Sequence, residues 1–194
     1  MPRIDSQKFY IASLKKHGVT PQGLHWFGKE SQEIRFDTLL ELLPSNLKEF
    51  SIADAGCGFG DFYLYMKEKN TLPKSYLGID SLKEMCRITQ KRTGCHTLKA
   101  DICKEPLPQA DYYICSGALN ILSSFETRLF LQNCYSSSHC GFIFNILYGD
   151  IKSEIYNYIN KQALETIAKD LGVTQLKYIQ DYMEGDITVA FLKR

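Results

Sequence analysis

Three short apolar runs in this chain each end in an aspartate: Asp54, Asp80 and Asp101. Residues 51–61 read S-I-A-D-A-G-C-G-F-G-D, so the first acid is followed by glycines at 56, 58 and 60. Glycines at alternate positions let the backbone take positive φ and approach a ligand with no Cβ between them. The helix expected to start near Asp61 turns its unpaired N–H groups toward the same place. The second run, S-Y-L-G-I-D at 75–80, ends twenty positions after Gly60 in a carboxylate, which accepts hydrogen bonds from a vicinal diol such as the two hydroxyls of a ribose. The third, H-T-L-K-A-D-I at 96–102, ends in Asp101.

The elements that must hold these groups follow from periodicity. Residues 4–16 place Ile4, Lys8, Ile11 and Leu14 at helical spacing, closed by Gly18 and Pro21. The segment with the only tryptophan, Trp26, leads into a helix that carries Ile34, Leu39, Leu42 and Leu43 and stops at Pro44. Residues 1–45 thus read as a helical extension, with Trp26, Ser31, Gln32 and Arg35 suited to a lid. Residues 61–69 form the helix after the glycine turn. Ser81 with Glu84 reads as a capping box for the next one, which Gly94 closes. D-Y-Y-I-C at 111–115 is a fourth strand, with Ser116 and Gly117 as its exit. A helix over 124–136 should turn Phe125, Leu129 and Leu131 inward, and G-F-I-F-N-I-L-Y is apolar on both faces, as an internal parallel strand is. Asn160 caps a last helix with Leu164, Ile167, Ala168 and Leu171 on one face and Gly172 as its stop. L-K-Y-I-Q and I-T-V-A-F-L-K, joined by D-Y-M-E-G-D, close the chain as an antiparallel hairpin. Strand and helix alternate five times before that hairpin, which predicts a doubly wound α/β sheet.

Composition narrows the function classes. The 194 residues suit one domain, with no room for a second. Twenty-three basic residues against 22 acidic ones create no global field to attract a phosphate backbone, so nucleic acid is disfavoured as a partner. The seven cysteines are odd in number and lack a C-x-x-C pair, which predicts reduced thiols in a cytoplasmic protein and no metal centre. No signal-like or membrane-spanning run occurs; the N-terminus carries Arg3, Asp5 and Lys8.

The spacing D-x-G-x-G-x-G resembles motif I of the class I S-adenosylmethionine-dependent methyltransferases. A dinucleotide fingerprint would need its third glycine at position 61, where this chain has Asp61, so a nicotinamide oxidoreductase is disfavoured. The resemblance covers residues 50–194 and implies a mostly parallel seven-stranded Rossmann-like sheet in the order 3-2-1-4-5-7-6, with the last strand antiparallel. It implies S-adenosylmethionine as cofactor, held by Asp54, Ala55, Gly56, Gly58 and Gly60 in the turn. Asp80 and Ser81 would take the ribose, and Asp101 with the Ile102 N–H the adenine. Ser116 and Gly117 would complete the site, with Trp26 and Arg35 from the lid. H-W-F-G-K-E-S-Q-E-I-R-F, C-S-G-A-L-N, F-N-I-L and D-Y-M-E-G-D-I-T-V-A further resemble small bacterial methyltransferase-domain proteins of undefined substrate.

In an open α/β sheet the ligand lies at the carboxyl ends of the strands. That edge gathers the three aspartates, Ser116 to Asn120, Asn145 and Tyr148. The hairpin turn should add Asp181, Tyr182 and Asp186, the candidates for acceptor contact or base. His96 and His139 fall at the opposite edge, while His17 and His25 read as surface residues of the lid. Trp26 or Tyr148 could face a sulfonium, worth ~0.5–2 kcal/mol when desolvated. C-S-G-A-L-N has no proline pair followed by an aromatic, as amino-group methylases of bases have, so a small-molecule or protein acceptor is expected. The alternative is a non-catalytic module that binds S-adenosylmethionine or S-adenosylhomocysteine and acts through a partner.

Overall fold

The computed structural model describes residues 5–193. Its strands are β1 (Ser51–Ala55), β2 (Ser75–Asp80), β3 (His96–Lys99), β4 (Ala110–Ser116), β5 (Ser138–Tyr148), β6 (Tyr158–Ile159), β7 (Gln175–Ile179) and β8 (Asp186–Leu192). Between them run α1 (Ser6–His17), α2 (Lys29–Leu42), α3 (Asp61–Glu68), α4 (Lys83–Thr93), α5 (Ser124–Ser137) and α6 (Lys161–Asp170).

β5 is the strand with apolar residues on both faces, and it lies inside the sheet, buried from Gly141 to Ile146. It pairs in parallel with β4 and antiparallel with β8. The order is β3-β2-β1-β4-β5-β8-β7, which is the expected order once the short β6 is counted. β6 was not legible in the sequence because two residues carry no alternation; it forms only where Tyr158 and Ile159 meet Leu147 and Tyr148.

The alternation of side chains across the sheet divides the core in two. Phe142, Phe144, Val189 and Phe191 share a cluster with Phe130 and Leu131 of α5 and Leu164 and Ala168 of α6. Ile114, Ile143 and Ala190 point the other way, toward Phe36 and Leu39 of α2 and Phe62 and Met66 of α3. Helices therefore cover both faces, as in a doubly wound sheet. A third, smaller cluster seats Tyr10 and Leu14 of α1 and Leu24 against Phe59, Met85 and Ile88.

Helix ends depart from expectation in three places. α1 begins at Ser6, its cap Asp5 accepting a hydrogen bond from the Lys8 N–H at 3.1 Å; Ile4 and Arg3 lie outside the described residues. α4 begins at Lys83 with no Ser81–Glu84 box. Asp80 does that work instead, its Oδ1 accepting from the Leu82 N–H at 2.9 Å. α5 starts from a Ser123–Glu126 capping box, and in that phase Thr127, Phe130, Leu131 and Cys134 face inward while Phe125 is 72% exposed. Asn160 caps α6 as expected, accepting from the Ala163 N–H at 3.0 Å.

Phe144 is fully buried, stacked on Phe142 at 4.9 Å and edge-on to Phe191 at 5.2 Å. Phe144→Ala should cost about 3–5 kcal/mol in urea unfolding, from lost burial plus the cavity left behind. Phe125→Ala, on the outer face of α5, should stay within about 0.5 kcal/mol of the parent.

Candidate functional site

The carboxyl ends of β1, β2 and β4 and the segment after β3 open on one cavity of about 190 Å³. The glycine turn forms its floor. Gly56 and Gly58 adopt φ of 84° and 54°, in the left-handed region. A Cβ on Gly56 would sit 2.5 Å from the Ala118 Cβ, and one on Gly58 2.9 Å from Leu24 Cδ1. Ala118 and Leu24 thus leave no room for a side chain at either glycine. Gly60 serves another purpose: it faces Thr89 and Thr93 of α4 and does not line the cavity. Ala55 is fully buried and does not line it either.

Asp80, at the end of β2, spans two elements. Its Oδ2 accepts from the Gly58 N–H at 3.1 Å while Oδ1 holds Leu82. Burial pushes its pKa up to about 6, against the pull of those backbone donors. Asp54 is buried too, and its Oδ2 accepts from the Tyr76 hydroxyl at 2.6 Å. Burial raises Asp54 to about 7; the Tyr76 hydrogen bond works against this, and the Asp80 and Asp61 charges add to it. Asp101 accepts from the Cys103 N–H at 3.1 Å and pairs with Lys104 at 2.6 Å. Ser116 donates to Asn145 Oδ1 at 2.9 Å. Ser81, Asp101, Ile102, Ser116 and Gly117 all line the cavity, together with Asp54 and Asp80.

Residues 52–140 match the methyltransferase domain family. The match to a methyltransferase domain thus runs from β1 to the start of β5, with the helices between them. No curated protein matches it in sequence. Its fold is shared by magnesium protoporphyrin IX methyltransferase from Synechocystis PCC 6803 with bound SAM, at 13% identity over 100% of this chain and 86% of that one, with a TM-score of 0.66. Human N-acetylserotonin methyltransferase in complex with SAM is similar at 14% identity, over 98% of this chain and 60% of that one, with a TM-score of 0.70. A Haloferax volcanii complex containing the Trm112 methyltransferase activator holds a chain 13% identical over 96% of both, with a TM-score of 0.69. The fold is that of the class I S-adenosylmethionine-dependent methyltransferases.

The cavity is roofed by the N-terminal segment. Phe9 and Tyr10 of α1, His25 and Trp26 line the cavity from above, and Tyr156 joins them from the loop after β5. His25, in a left-handed conformation, stacks on Phe9 at 3.9 Å; it is exposed, as expected of a surface histidine, and also borders the cavity. Burial, and then the nearby Asp80 charge, raise the Tyr10 phenol above its ordinary pKa. Sequence reading missed Phe9, Tyr10 and Tyr156. An adjacent aromatic pair in a short amphipathic helix was the available signal for the first two, and Tyr156 carried none.

Besides Ala55 and Gly60, five more candidates stand apart from the cavity. Arg35 does not line it, because its guanidinium is spent on Asp186: Nε donates to Oδ1 at 3.0 Å and Nη2 to Oδ2. Asp186 is thereby a buried partner of a cation and not a base at the cavity. The Tyr182 hydroxyl accepts from Thr188 at 3.0 Å, and Asp181 occupies the turn with φ 64°. At the start of β8 Asp186 is tied to α2 through Arg35, and on that side Trp26 is part of the cavity wall. Tyr148 is also absent from that wall, its backbone paired with Ile159 in β6.

The raised Asp54 pKa has a checkable consequence. The native state holds a proton here that the unfolded chain, with the ordinary value of 3.8, has already lost. Between about pH 4 and 7 the contribution of this group to stability therefore falls as pH rises. Asp54→Asn should gain on the parent by on the order of 1–3 kcal/mol between pH 5 and pH 8 in urea unfolding. A difference that does not change with pH would contradict the burial argument.

Proposed function

We propose that the chain is an S-adenosylmethionine-dependent methyltransferase acting on a small molecule or a protein side chain, in the cytoplasm. Charge carries this reading. Asp54, Asp61, Asp80, Asp101 and Glu126 line the cavity, and among the described residues no lysine or arginine does. A dinucleotide would bring its diphosphate into that acidic setting unpaired, whereas a sulfonium with an ammonium group is attracted to it.

The residues fit the cofactor. Each Asp80 oxygen accepts one backbone N–H and keeps a second lone pair for a ribose hydroxyl. Asp101 and Ile102 would hold the adenine, and Gly56 and Gly58 present bare backbone to the cavity. The cofactor supplies a methyl group on a positively charged sulfur. The chain's own task is to align an acceptor with that methyl and exclude water from the approach, which the roof of Phe9, Tyr10, Trp26 and Tyr156 is built to do. That roof is aromatic and carries no basic side chain, which suits a small molecule or a protein side chain better than nucleic acid. Residues 1–45 form the lid of a single domain in this reading. The cytoplasmic placement rests on seven cysteines, none of them in a disulfide. No helix among the described residues is long and apolar enough to cross a membrane.

A second reading, a binding module that acts through a partner, is favoured by one observation: none of Asp181, Tyr182 and Asp186 reaches the cavity. Transfer to an acceptor that arrives with its lone pair free needs no base, so the enzyme reading stands.

Calorimetry should show S-adenosylhomocysteine binding and no heat with NAD, and Asp80→Ala should weaken the former by about 1–3 kcal/mol. Affinity should also decline as pH falls through 7 toward 6, where Asp54 and Asp80 take up protons and lose the charge that attracts the ligand. Binding of NAD, or an unchanged affinity in Asp80→Ala, would count against the assignment. With labelled donor and cell extract, label should appear in a small molecule or a protein and not in nucleic acid.

A further inference from the structure

Trp26 forms the cavity wall beside the β4 exit, and nothing covalent holds it there: it sits in the link between a short turn and α2. Its ring lies so close to Gly117 that a Cβ on that glycine would be 2.7 Å from it. The Arg35 guanidinium lies over the ring, 4.9 Å from its centroid. Arg35 is fixed in turn. Nη1 donates to the Ser31 carbonyl at 2.8 Å, Nε donates to Asp186 Oδ1 at 3.0 Å, and Nη2 closes the fork on Oδ2. Both members of the pair are buried, at 5% and 4% exposure. Asp186 is the first residue of β8, whose Thr188 lies in one row with Asn145 and Ser116. Asn145 Nδ2 donates to Thr188 Oγ1 at 2.6 Å, and Ser116 donates to Asn145 Oδ1. The start of β8 thus braces the β4 exit from two sides, through Trp26 onto Gly117 and through Asn145 onto Ser116.

We propose that Arg35 and Asp186 are positioning residues: their buried ion pair presses the Trp26 indole onto Gly117 and so sets the wall of the ligand cavity. A planar fork is needed for this, since it engages the carboxylate with two donors while presenting its face to the ring. Lysine keeps the charge but offers neither the second bond nor the stacking. That the wall shapes a cofactor site rests on the function proposed above; that the pair holds the indole does not.

Trp26 is the only tryptophan, so fluorescence excited at wavelengths that tyrosine does not absorb reports on this side chain alone. Arg35→Lys, and the double variant Arg35→Met with Asp186→Leu, which leaves no buried charge unpaired, are compared with the parent by acrylamide quenching without ligand. Folding is checked by far-UV circular dichroism. Quenching of Trp26 should rise and its emission shift to the red in folded variants. S-adenosylhomocysteine affinity should fall roughly 2- to 30-fold, the range of a desolvated aromatic contact. If the double variant does not fold, Arg35→Lys decides by the same measurement. Folded variants whose Trp26 is quenched as in the parent would overturn the proposal. A parent that binds no S-adenosylhomocysteine would instead fail the cofactor reading, and the ligand-free quenching would still decide this one.

Discussion

One carboxylate ties the working edge of this molecule together. Asp80 takes the Gly58 N–H with one oxygen and the Leu82 N–H with the other, joining the turn after β1 to the start of α4. The two strands it connects run in parallel, with Asp54 opposite Gly78, so both turns leave the sheet at the same level and one side chain reaches both. Holding a carboxylate in a buried place raises its free energy, and the backbone donors offset part of that cost. The donor at Gly58 points at Asp80 because the turn adopts positive φ, a geometry that a side chain there would strain. The glycines, the acid and the helix start therefore depend on one another.

Parallel strands explain why acids accumulate here. Every parallel strand delivers its carboxyl end to the same edge, so β1 and β2, and the segment after β3, each bring an aspartate to a single cavity. Repulsion between Asp54, Asp80 and Asp61 adds to the burial that raises Asp54. The site is prepared for a cationic group, which would lower the cost of keeping these carboxylates ionised. Besides Asp80, with its two backbone donors, and Asp54, with Tyr76, the other three lining acids also have local duties. Asp61 accepts from Gln32 and Arg92, Asp101 from Cys103 and Lys104, and Glu126 from Ser123. Asp54 and Asp80 are the ones set deepest and most perturbed.

The terminal hairpin supports the site without entering it. β8 lies between β5 and β7, running against both, and its first residues come level with the ends of β4 and β5. There the apolar row Ile114, Ile143 and Ala190 gives way, two residues on, to the polar row Ser116, Asn145 and Thr188. α2 crosses above, with Thr38 within 2.6 Å of Thr188 and Arg35 paired to Asp186. The polar residues of this region find one another, so the reach toward the cavity is left to Trp26.

Local chemistry in the chain specified the alternation of strands and helices, the glycine turn and the three acids that follow β1, β2 and β3. Each is a short-range consequence of side-chain period, backbone freedom or capping, which neighbouring residues express by themselves. The charged residues were harder to place. Asp80 reads in the sequence as a ribose acceptor, and its hold on the Gly58 and Leu82 N–H groups emerges only in the fold; Arg35 and Asp186, 151 positions apart, read as two separate site candidates until the sheet pairs them. The roof of Phe9, Tyr10 and Tyr156, and the two-residue β6, were equally out of reach. Only the tertiary structure decided these, because burial and partner choice depend on distances between segments far apart in the chain, and periodicity along one segment carries no record of them.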